Sequence, residues 1–499
     1  WIATEKKAGM GYFIITAKHH DGFAMYDSQV SDYNIIKQTQ FRRDPIAELA
    51  AACKRQGVKF GFYYSHAFDW EHPDAPGNDW EYNNPGGDLN LFGGANWFDV
   101  HPELLPKAIN YVNSKAIPQI LELINKYHPD ILWFDTPHKL PFSENLRILD
   151  TIRKAAPGTI INGRLARNGE KNYGDYKNTA DRPAEFFPVE GDWEAIPTTN
   201  ESYGYHKYDN SHKPPSHFIK LLANAASRGG NLLMNIGPMG NGKFDQRDID
   251  ILSGIGSWMD VNGESIHGTS RSPLPIQSWG VSTIKNNKLY LHVFDWPDDN
   301  KLVVGGLKSE ISKAWLLSDQ SRKELPFKRL NKNDITLTVP TMAPDTINTV
   351  IVVETIKPVI CDSVRLIDGR KTRLLAFDSD LLGGGFRFGD GKAKRYFVEG
   401  WNRKDQEISW QVRLNKPVSF RVALLYAGSP DSGGTFSLLA NKDKLEGTIE
   451  PAQKTGTVYS VNPGTIKLKK GVNLIRIVPE EIKNKELMKI LELQLMPVE

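Results

Sequence analysis

The architecture of this chain can be built outward from Gly11-Tyr12-Phe13-Ile14-Ile15-Thr16-Ala17-Lys18-His19-His20-Asp21-Gly22-Phe23. The first part of this run is rich in β-branched and aromatic side chains, which predicts a buried strand. The strand ends in imidazole, carboxylate and glycine, and barrel enzymes keep their active sites at the carboxyl ends of their strands. His19 and His20 point to opposite faces of an extended segment, so one of them could equally be an ordinary core or loop residue.

Length and composition describe a globular protein with several domains. The 499 residues are 40% apolar and 24% charged, and a chain of this size should hold about three domains. The 62 basic and 59 acidic residues leave a net charge of +3 without a block of like charge, which disfavours nucleic-acid binding. No apolar run reaches the ~18 residues of a membrane span. The two cysteines, Cys53 and Cys361, indicate neither a disulfide framework nor a thiolate metal site.

Apolar strand-like runs alternate with longer helical patterns from residue 1 to about 269. This alternation is typical of a parallel sheet wrapped by helices, and it predicts an α/β fold of the (β/α)8-like TIM-barrel type. The predicted strands cover residues 12–17, 60–65, 131–134, 159–163 and 232–236. The predicted helices cover residues 45–56, 106–127, 144–155, 216–226 and 246–259.

Beyond residue 269 the pattern changes to short alternating runs separated by turn residues, as in residues 288–294 and 349–353. Such runs are typical of antiparallel strands. We predict a catalytic barrel over residues 1–269, a β-sandwich over 270–356 and a second β-sandwich over 357–499. The second sandwich resembles an appended carbohydrate-binding domain.

The predicted strand ends of the first region carry a shared set of polar and aromatic side chains. They are His19, His20 and Asp21; Tyr63, Tyr64, Ser65 and His66; Trp133, Phe134 and Asp135; and Asn162, Gly163 and Arg164. Rings can stack on the apolar face of a sugar while paired donors and acceptors hold its hydroxyls. Trp70, Trp80 and Trp97 lie in long loops and fit the same interpretation, although any one of them could be a core residue.

Asp135 is the strongest single candidate for a catalytic residue. A hydrophobic strand delivers this carboxylate at its exit, and Pro137 prevents the ladder from continuing. An aspartate in this position could also cap the next turn. Glycoside hydrolysis needs a second carboxyl group, for which Glu185 and Glu194 are the candidates. Glu185 is followed by two phenylalanines, an apolar setting that favours a protonated acid, whereas Glu194 could equally hold a loop in place.

The chain resembles the family 29 glycoside hydrolases, the α-L-fucosidases. The motifs that carry the resemblance are Lys18-His19-His20-Asp21-Gly22-Phe23, Phe62-Tyr63-Tyr64-Ser65, Leu132-Trp133-Phe134-Asp135, Trp193-Glu194, Ser202-Tyr203-Gly204-Tyr205, Gly229-Gly230-Asn231-Leu232-Leu233-Met234-Asn235-Ile236-Gly237-Pro238 and Asn262-Gly263-Glu264-Ser265-Ile266. They cover residues 1 to about 270 in the order of the family. The resemblance implies an exo-acting, retaining α-L-fucosidase on a TIM-like barrel with a β-sandwich behind it, acting on a fucosylated oligosaccharide or glycoconjugate without a metal or other cofactor.

The resemblance also implies roles for individual residues. Asp135 matches the nucleophile, which would form a covalent fucosyl intermediate. The remaining sugar-pocket positions of the family fall on His19, His20, Tyr64, Trp70, Trp133 and Arg164. The acid/base of the family is usually a carboxylate a short way before the Trp-Glu pair. Glu185 fits that place and is preferred, and Glu194, the glutamate of the pair itself, is the alternative.

One departure concerns the start of the sequence. The family opens its barrel with a strand that supplies a further histidine and tryptophan, and no such segment precedes Trp1, so the N-terminal barrel unit is expected to be missing from this sequence. This gap motivates an alternative function, a non-catalytic fucose-binding protein on a degraded barrel. A glycosidase for a related 6-deoxy or L-sugar is a further alternative. We expect an extracellular or periplasmic protein, although the chain shows no signal peptide.

Overall fold

The computed structural model describes residues 1–76, 102–169, 171–367 and 369–498. The chain divides into two compact units, Trp1–Asn178 and Thr179–Glu499. The helices of the first unit are α1 (Ile2–Lys7), α2 (Ile35–Gln38), α3 (Pro45–Gln56), α4 (Leu105–Tyr111), α5 (Ile117–Tyr127) and α6 (Phe142–Ala155). Its strands are β1 (Tyr12–Lys18), β2 (Lys59–Tyr64), β3 (Ile131–Phe134), β4 (Ile160–Ile161), β5 (Arg167–Asn168) and β6 (Lys171–Asn172), and β7 (Lys177–Asp181) crosses the division between the units.

A parallel sheet of order β1-β2-β3-β4 forms the centre of the first unit. Its register pairs Thr16 with Tyr63, Tyr63 with Trp133 and Leu132 with Ile161. All residues of β3 are buried, as expected for a parallel strand with both faces covered. Because the strands run parallel, their carboxyl ends lie along one edge of the sheet, so the polar residues that follow them are brought together.

Helix α3 forms where the sequence predicts it, because both of its ends are specified locally. The Asp44 carboxylate accepts a hydrogen bond from the Ala47 backbone N–H, and Pro45 occupies the first helical position. Gly57 ends the helix in the left-handed conformation, at φ 65°.

The helix predicted over residues 106–127 is instead interrupted. A π-helical segment, Val112–Ala116, separates α4 from α5, and the Ile117 backbone N–H donates to the Val112 carbonyl. Pro118 has no N–H to donate to the carbonyl four residues before it, so the regular hydrogen-bond ladder cannot continue through this point.

The strand predicted over 159–163 is shorter in the structure, where only Ile160–Ile161 belong to the sheet.

The second unit is rich in β-structure. Its helices are α7 (Pro215–Ser227) and α8 (Gln246–Asn262). Its strands are β8 (Trp193–Ile196), β9 (Gly230–Leu232), β10 (Ser270–Arg271), β11 (Gly280–Lys285), β12 (Lys288–Val293), β13 (Lys301–Gly305), β14 (Ile311–Leu316), β15 (Phe327–Arg329), β16 (Asp334–Thr338), β17 (Thr349–Thr355), β18 (Arg365–Leu366), β19 (Thr372–Leu375), β20 (Asp380–Leu382), β21 (Arg387–Phe388), β22 (Val398–Glu399), β23 (Glu407–Leu414), β24 (Val418–Ala427), β25 (Gly434–Ala440), β26 (Asp443–Ile449), β27 (Val458–Leu468), β28 (Gly471–Ile482) and β29 (Lys489–Pro497).

Strands β8 and β9 pair in parallel, whereas the later sheets are almost entirely antiparallel. Sheets of order β10-β11-β12-β17-β14 and β13-β16-β15 come first along the chain. They are followed by sheets of order β18-β23-β28-β25-β26 and β21-β22-β29-β24-β27. Phe420, Val422 and Leu424 alternate along β24 and share one core with Ile475 and Ile477 of β28, which is the packing of a β-sandwich.

The strand predicted over 232–236 is displaced, because β9 ends at Leu232. Strand β8 was not predicted, since its four residues show no clear alternation. Within the described part of the chain, no helix has the length and apolar character required to cross a bilayer. The domain boundaries at 269 and 356 stay predictions.

Candidate active site

Three rings are stacked across the carboxyl edge of the first unit's sheet. The His19 imidazole lies 5.0 Å from the Tyr63 ring at an interplanar angle of 8°. Tyr63 in turn lies 5.5 Å from the Trp133 ring at 26°. The stack follows from the register, because Tyr63 and Trp133 are paired across β2 and β3 and His19 directly follows β1. The result is an aromatic surface of the kind that binds the apolar face of a sugar.

Asp135 lies at the end of this stack. The Arg164 guanidinium donates to Asp135 Oδ1 at 3.0 Å, and the Tyr63 hydroxyl donates to Oδ2 at 3.3 Å. The backbone N–H of Thr136 also donates to Oδ1, at 2.9 Å. The side chain remains 21% exposed, so its orientation is fixed while it stays accessible to a ligand.

Arg164 connects the carboxylate to the aromatic stack. Its guanidinium carbon lies 5.0 Å from the centre of the Trp133 ring, in a cation–π arrangement. The structure therefore brings together Asp135, Trp133, Arg164 and His19 of the residues predicted from the sequence.

His20 faces a different set of neighbours. Its Nδ1 lies 2.7 Å from the Ser65 hydroxyl, and its ring packs against Phe68 and edge-on against Trp70, with the last pair of centres 6.1 Å apart. Burial, together with a smaller effect of the neighbouring His19, lowers the pKa of His20 to about 4. Burial also lowers the pKa of His19. Both imidazoles are therefore neutral at pH 7, and a neutral imidazole offers one donor and one acceptor to sugar hydroxyls.

Trp70 is 56% exposed beside His20, a position from which its indole can meet a ligand. Trp80 and Trp97 lie outside the described residues.

Tyr64 occupies the core and presents no surface to the site. It is fully buried, and its hydroxyl donates to the Gln119 side chain at 2.9 Å. Its sequence neighbour Tyr63 is the residue in contact with Asp135. Successive side chains of a strand point to opposite faces of the sheet. The pairing of Tyr63 with Trp133 therefore places Tyr63, and not Tyr64, on the same face as Trp133.

His66 is a further histidine close to this site. It is fully buried, and its ring packs edge-on against Phe134 at 5.3 Å. Burial lowers the pKa of His66 to about 3. This environment favours the neutral imidazole, and His66 is a core residue.

Both candidate second carboxyl groups belong to the second unit. Glu185 Oε1 accepts from the Arg373 guanidinium at 3.1 Å, and Arg373 Nε also donates to the buried Glu492 at 2.9 Å. Burial raises the pKa of Glu185, and the positive charge of Arg373 offsets part of this effect. Glu185 is thus bound to β19 and β29 of the C-terminal sandwich.

Glu194 lies within β8 and is only 3% exposed. Its neighbours Trp193 and Ala195 pack against Leu221 and Ala225 of α7. Because side chains alternate along a strand, Glu194 points to the face of β8 opposite α7. In a barrel, the face opposite the helices is the interior.

No group of three or more histidine, cysteine or carboxylate side chains suited to a metal ion occurs within the ranges that the structure describes.

The sequence model of the Alpha-L-fucosidase family matches residues 1–264. An α-L-fucosidase of Dictyostelium discoideum is 27% identical over 362 residues, which cover 69% of this chain and 73% of that protein. The crystal structure of an α-L-fucosidase from Vibrio sp. strain EJY3 has a TM-score of 0.76 and 28% identity, with 99% of this chain and 86% of that chain covered. A GH29 α-L-fucosidase from Bacteroides thetaiotaomicron, solved as a trapped covalent intermediate, has a TM-score of 0.59 and 26% identity over 71% of this chain and 80% of that one. The family match covers more than half of the chain, and the chain therefore belongs to the α-L-fucosidase family of glycoside hydrolases.

Proposed function

We propose that this protein is an exo-acting, retaining α-L-fucosidase that releases terminal α-L-fucose from fucosylated oligosaccharides or glycoconjugates. The observation that carries the proposal is the carboxylate of Asp135 at the exit of β3, held by Arg164 and Tyr63 beside a stack of rings. The predicted (β/α)8-like barrel is part of this proposal. It is supported by the parallel order of β1 to β4 and by the likeness to the Vibrio structure.

Asp135 is the proposed nucleophile. Retention requires a carboxylate that attacks the anomeric carbon and forms a glycosyl-enzyme, which water then hydrolyses. The hydrogen bonds from Arg164 and Thr136 both reach Oδ1, so this oxygen is anchored. Oδ2 receives one longer contact from Tyr63 and is the better placed oxygen for attack.

The fucose ring would be bound by the aromatic stack and by the two neutral imidazoles. Tyr63, rather than the buried Tyr64, takes the predicted tyrosine position, and Trp70 supplies an exposed ring near His20. This chemistry needs two carboxyl groups and a water molecule, so the proposed mechanism uses no cofactor.

For the acid/base, the contacts favour Glu194 over the Glu185 preferred from the sequence. The carboxylate of Glu185 is engaged by Arg373, whose other partner is Glu492 in the C-terminal sandwich. Glu194 points away from α7, toward the face that would form the interior of a barrel.

Substitution of the nucleophile is the first test. We expect Asp135→Ala to reduce turnover of an aryl α-L-fucoside by roughly 10⁴-fold or more, because the covalent route is lost. Asp130→Ala is the matched control, since Asp130 precedes the same strand and its carboxylate pairs with Lys59. Full activity in Asp135→Ala would reject the assignment. If wild-type protein binds L-fucose in calorimetry but turns over no aryl glycoside, the non-catalytic alternative is supported instead.

Azide rescue separates the two glutamates. An activated aryl leaving group needs little protonation, so loss of the acid/base mainly slows the second step, by about 10²- to 10⁴-fold. Azide should then attack the glycosyl-enzyme of Glu194→Ala and give the α-configured fucosyl azide. Rescue of Glu185→Ala, without rescue of Glu194→Ala, would restore the assignment preferred from the sequence.

A further inference from the structure

Two lysines share one buried aspartate next to the loops that carry His20 and Trp70. Lys18 and Asp69 are both fully buried, and Lys18 Nζ lies 2.9 Å from Asp69 Oδ2. Lys18 Nζ also donates to the Tyr111 hydroxyl at 2.9 Å and to the Phe68 carbonyl at 3.1 Å. The residue directly before the histidine pair is thus fixed to the loop that follows β2.

Lys115 approaches the same carboxylate from the π-helical segment. It is 3% exposed, and its Nζ donates to Asp69 Oδ1 at 3.0 Å and to Glu71 Oε2 at 2.6 Å. A weaker contact of 3.4 Å reaches the carbonyl of Gly22, within the loop after β1. Single π-helical turns inside α-helices are frequent at functional sites, and this one brings Lys115 to both loops.

Asp69 also fixes the backbone of the loop that carries Trp70. Its Oδ1 accepts from the backbone N–H of His72 at 3.0 Å. The backbone N–H of Trp70 donates to the His20 carbonyl at 2.8 Å, which joins the two loops directly. The approach is close enough that a Cβ on Gly22, which has φ +81°, would stand 2.3 Å from Asp69 Oδ1.

We propose that Lys18, Asp69 and Lys115 form a positioning cluster that fixes His20 and Trp70 relative to one another for sugar binding. Burying such a cluster costs desolvation free energy, which its internal attraction does not necessarily recover, so stability alone is a weak reason to keep it. Tyr111 is its partner in the core, whereas its other hydrogen bonds, to Phe68, Glu71, His72 and Gly22, all reach the two loops. The inference rests on the proposed function, because it concerns the binding of the sugar at that site.

The cluster should affect binding more than chemistry. Residues that hold the sugar equally in the ground state and the transition state change KM and leave kcat unaltered. We expect Lys115→Met to raise KM for an aryl α-L-fucoside about tenfold, with kcat within about threefold of wild type. Asp69→Asn should have a larger effect in the same direction. If Asp69→Asn does not fold, Lys115→Met still decides the question, because the Lys18–Asp69 pair remains in that variant.

Arg413→Met provides the matched control. It breaks a buried ion pair in the second unit, in which Arg413 and Asp334 are 2.7 Å apart. This control should lower Tm and leave KM unchanged. If Lys115→Met likewise lowers Tm without raising KM, the cluster is only structural and the inference is wrong.

The wild-type measurement separates this inference from the proposed function. If the wild-type protein does not hydrolyse the aryl α-L-fucoside, the proposed activity is wrong. The role of the cluster in sugar binding is then tested by calorimetry with L-fucose. A Kd that is unchanged in Lys115→Met, or wild-type protein that does not bind L-fucose, would overturn the inference.

Discussion

Burial holds several histidine side chains near Asp135 in the neutral form. It lowers the pKa of His19, lowers that of His20 to about 4 and lowers that of His66 to about 3. His19 and His20 thus offer donors and acceptors for hydroxyl groups without adding positive charge next to Arg164. The same shifts make the free energy of unfolding depend on pH.

His66 should make the protein less stable as the pH falls. The unfolded chain binds a proton at this residue below about pH 6.5, whereas the folded chain does so only near pH 3, so stability is lost between these values. Between pH 7 and pH 5 this residue should account for about 2 kcal/mol of the decrease in unfolding free energy. His66→Gln should therefore flatten the pH dependence, as measured by urea unfolding at both pH values.

The slope, rather than the absolute stability, is the informative quantity in this experiment, since His66→Gln also changes packing. His206→Gln serves as the control, because His206 is exposed. An equal pH dependence in wild type and His66→Gln would show that His66 is not neutral in the folded protein.

Some single-residue roles could be predicted from the sequence and some could not. Asp135 was identifiable because a strand pattern ends at a lone carboxylate followed by a proline. Tyr63 and Tyr64 have the same chemistry and differ by one position, so only the pairing of β2 with β3 shows which one faces the site. The partnership of Glu185 with Arg373 joins residues 188 positions apart and leaves no local signal.

At the scale of secondary structure, β8 sets the direction of Glu194. The Trp193 indole donates to the Arg228 carbonyl at 3.3 Å and lies over Gly230, the first residue of β9. A Cβ on Gly230 would stand 2.3 Å from the indole, so only glycine permits this packing. Strand β8 itself was hard to predict, because four residues carry too little periodicity to identify a strand.

Gly230→Ala should therefore displace Trp193 and with it the strand that carries Glu194. We expect a loss of about 1 to 3 kcal/mol in unfolding free energy, together with a reduced kcat, because overpacking moves the backbone. Gly240→Ala is the matched control, since no atom lies within 4 Å of the added Cβ. Wild-type kcat in a folded Gly230→Ala protein would show that the position of β8 does not control the chemistry.

For the whole molecule, the sequence predicted the alternation of strands and helices, the family and the later antiparallel sheets. The alternation and the antiparallel runs are repeated along the chain, so local patterns suffice to recognise them, whereas the family was recognised from a resemblance carried by ordered motifs. The Lys18–Asp69–Lys115 cluster could not be predicted, because its members are far apart in sequence and buried charge is uncommon. The sequence contains a reason for the π-helical turn at Lys115, because Pro118 interrupts the helix. The direction in which the Lys115 side chain points could be seen only in the structure.

The central claim, a covalent intermediate on Asp135, is tested most directly by trapping. A 2-deoxy-2-fluoro-α-L-fucosyl fluoride destabilises the oxocarbenium-like transition states, while its good leaving group still allows the first step, so the glycosyl-enzyme accumulates. Peptide mass spectrometry after digestion should find one fluorofucosyl group, carried by the peptide that contains Asp135 and absent from Asp135→Ala. A label on another carboxylate, or no label on protein that hydrolyses an aryl α-L-fucoside, would contradict the account.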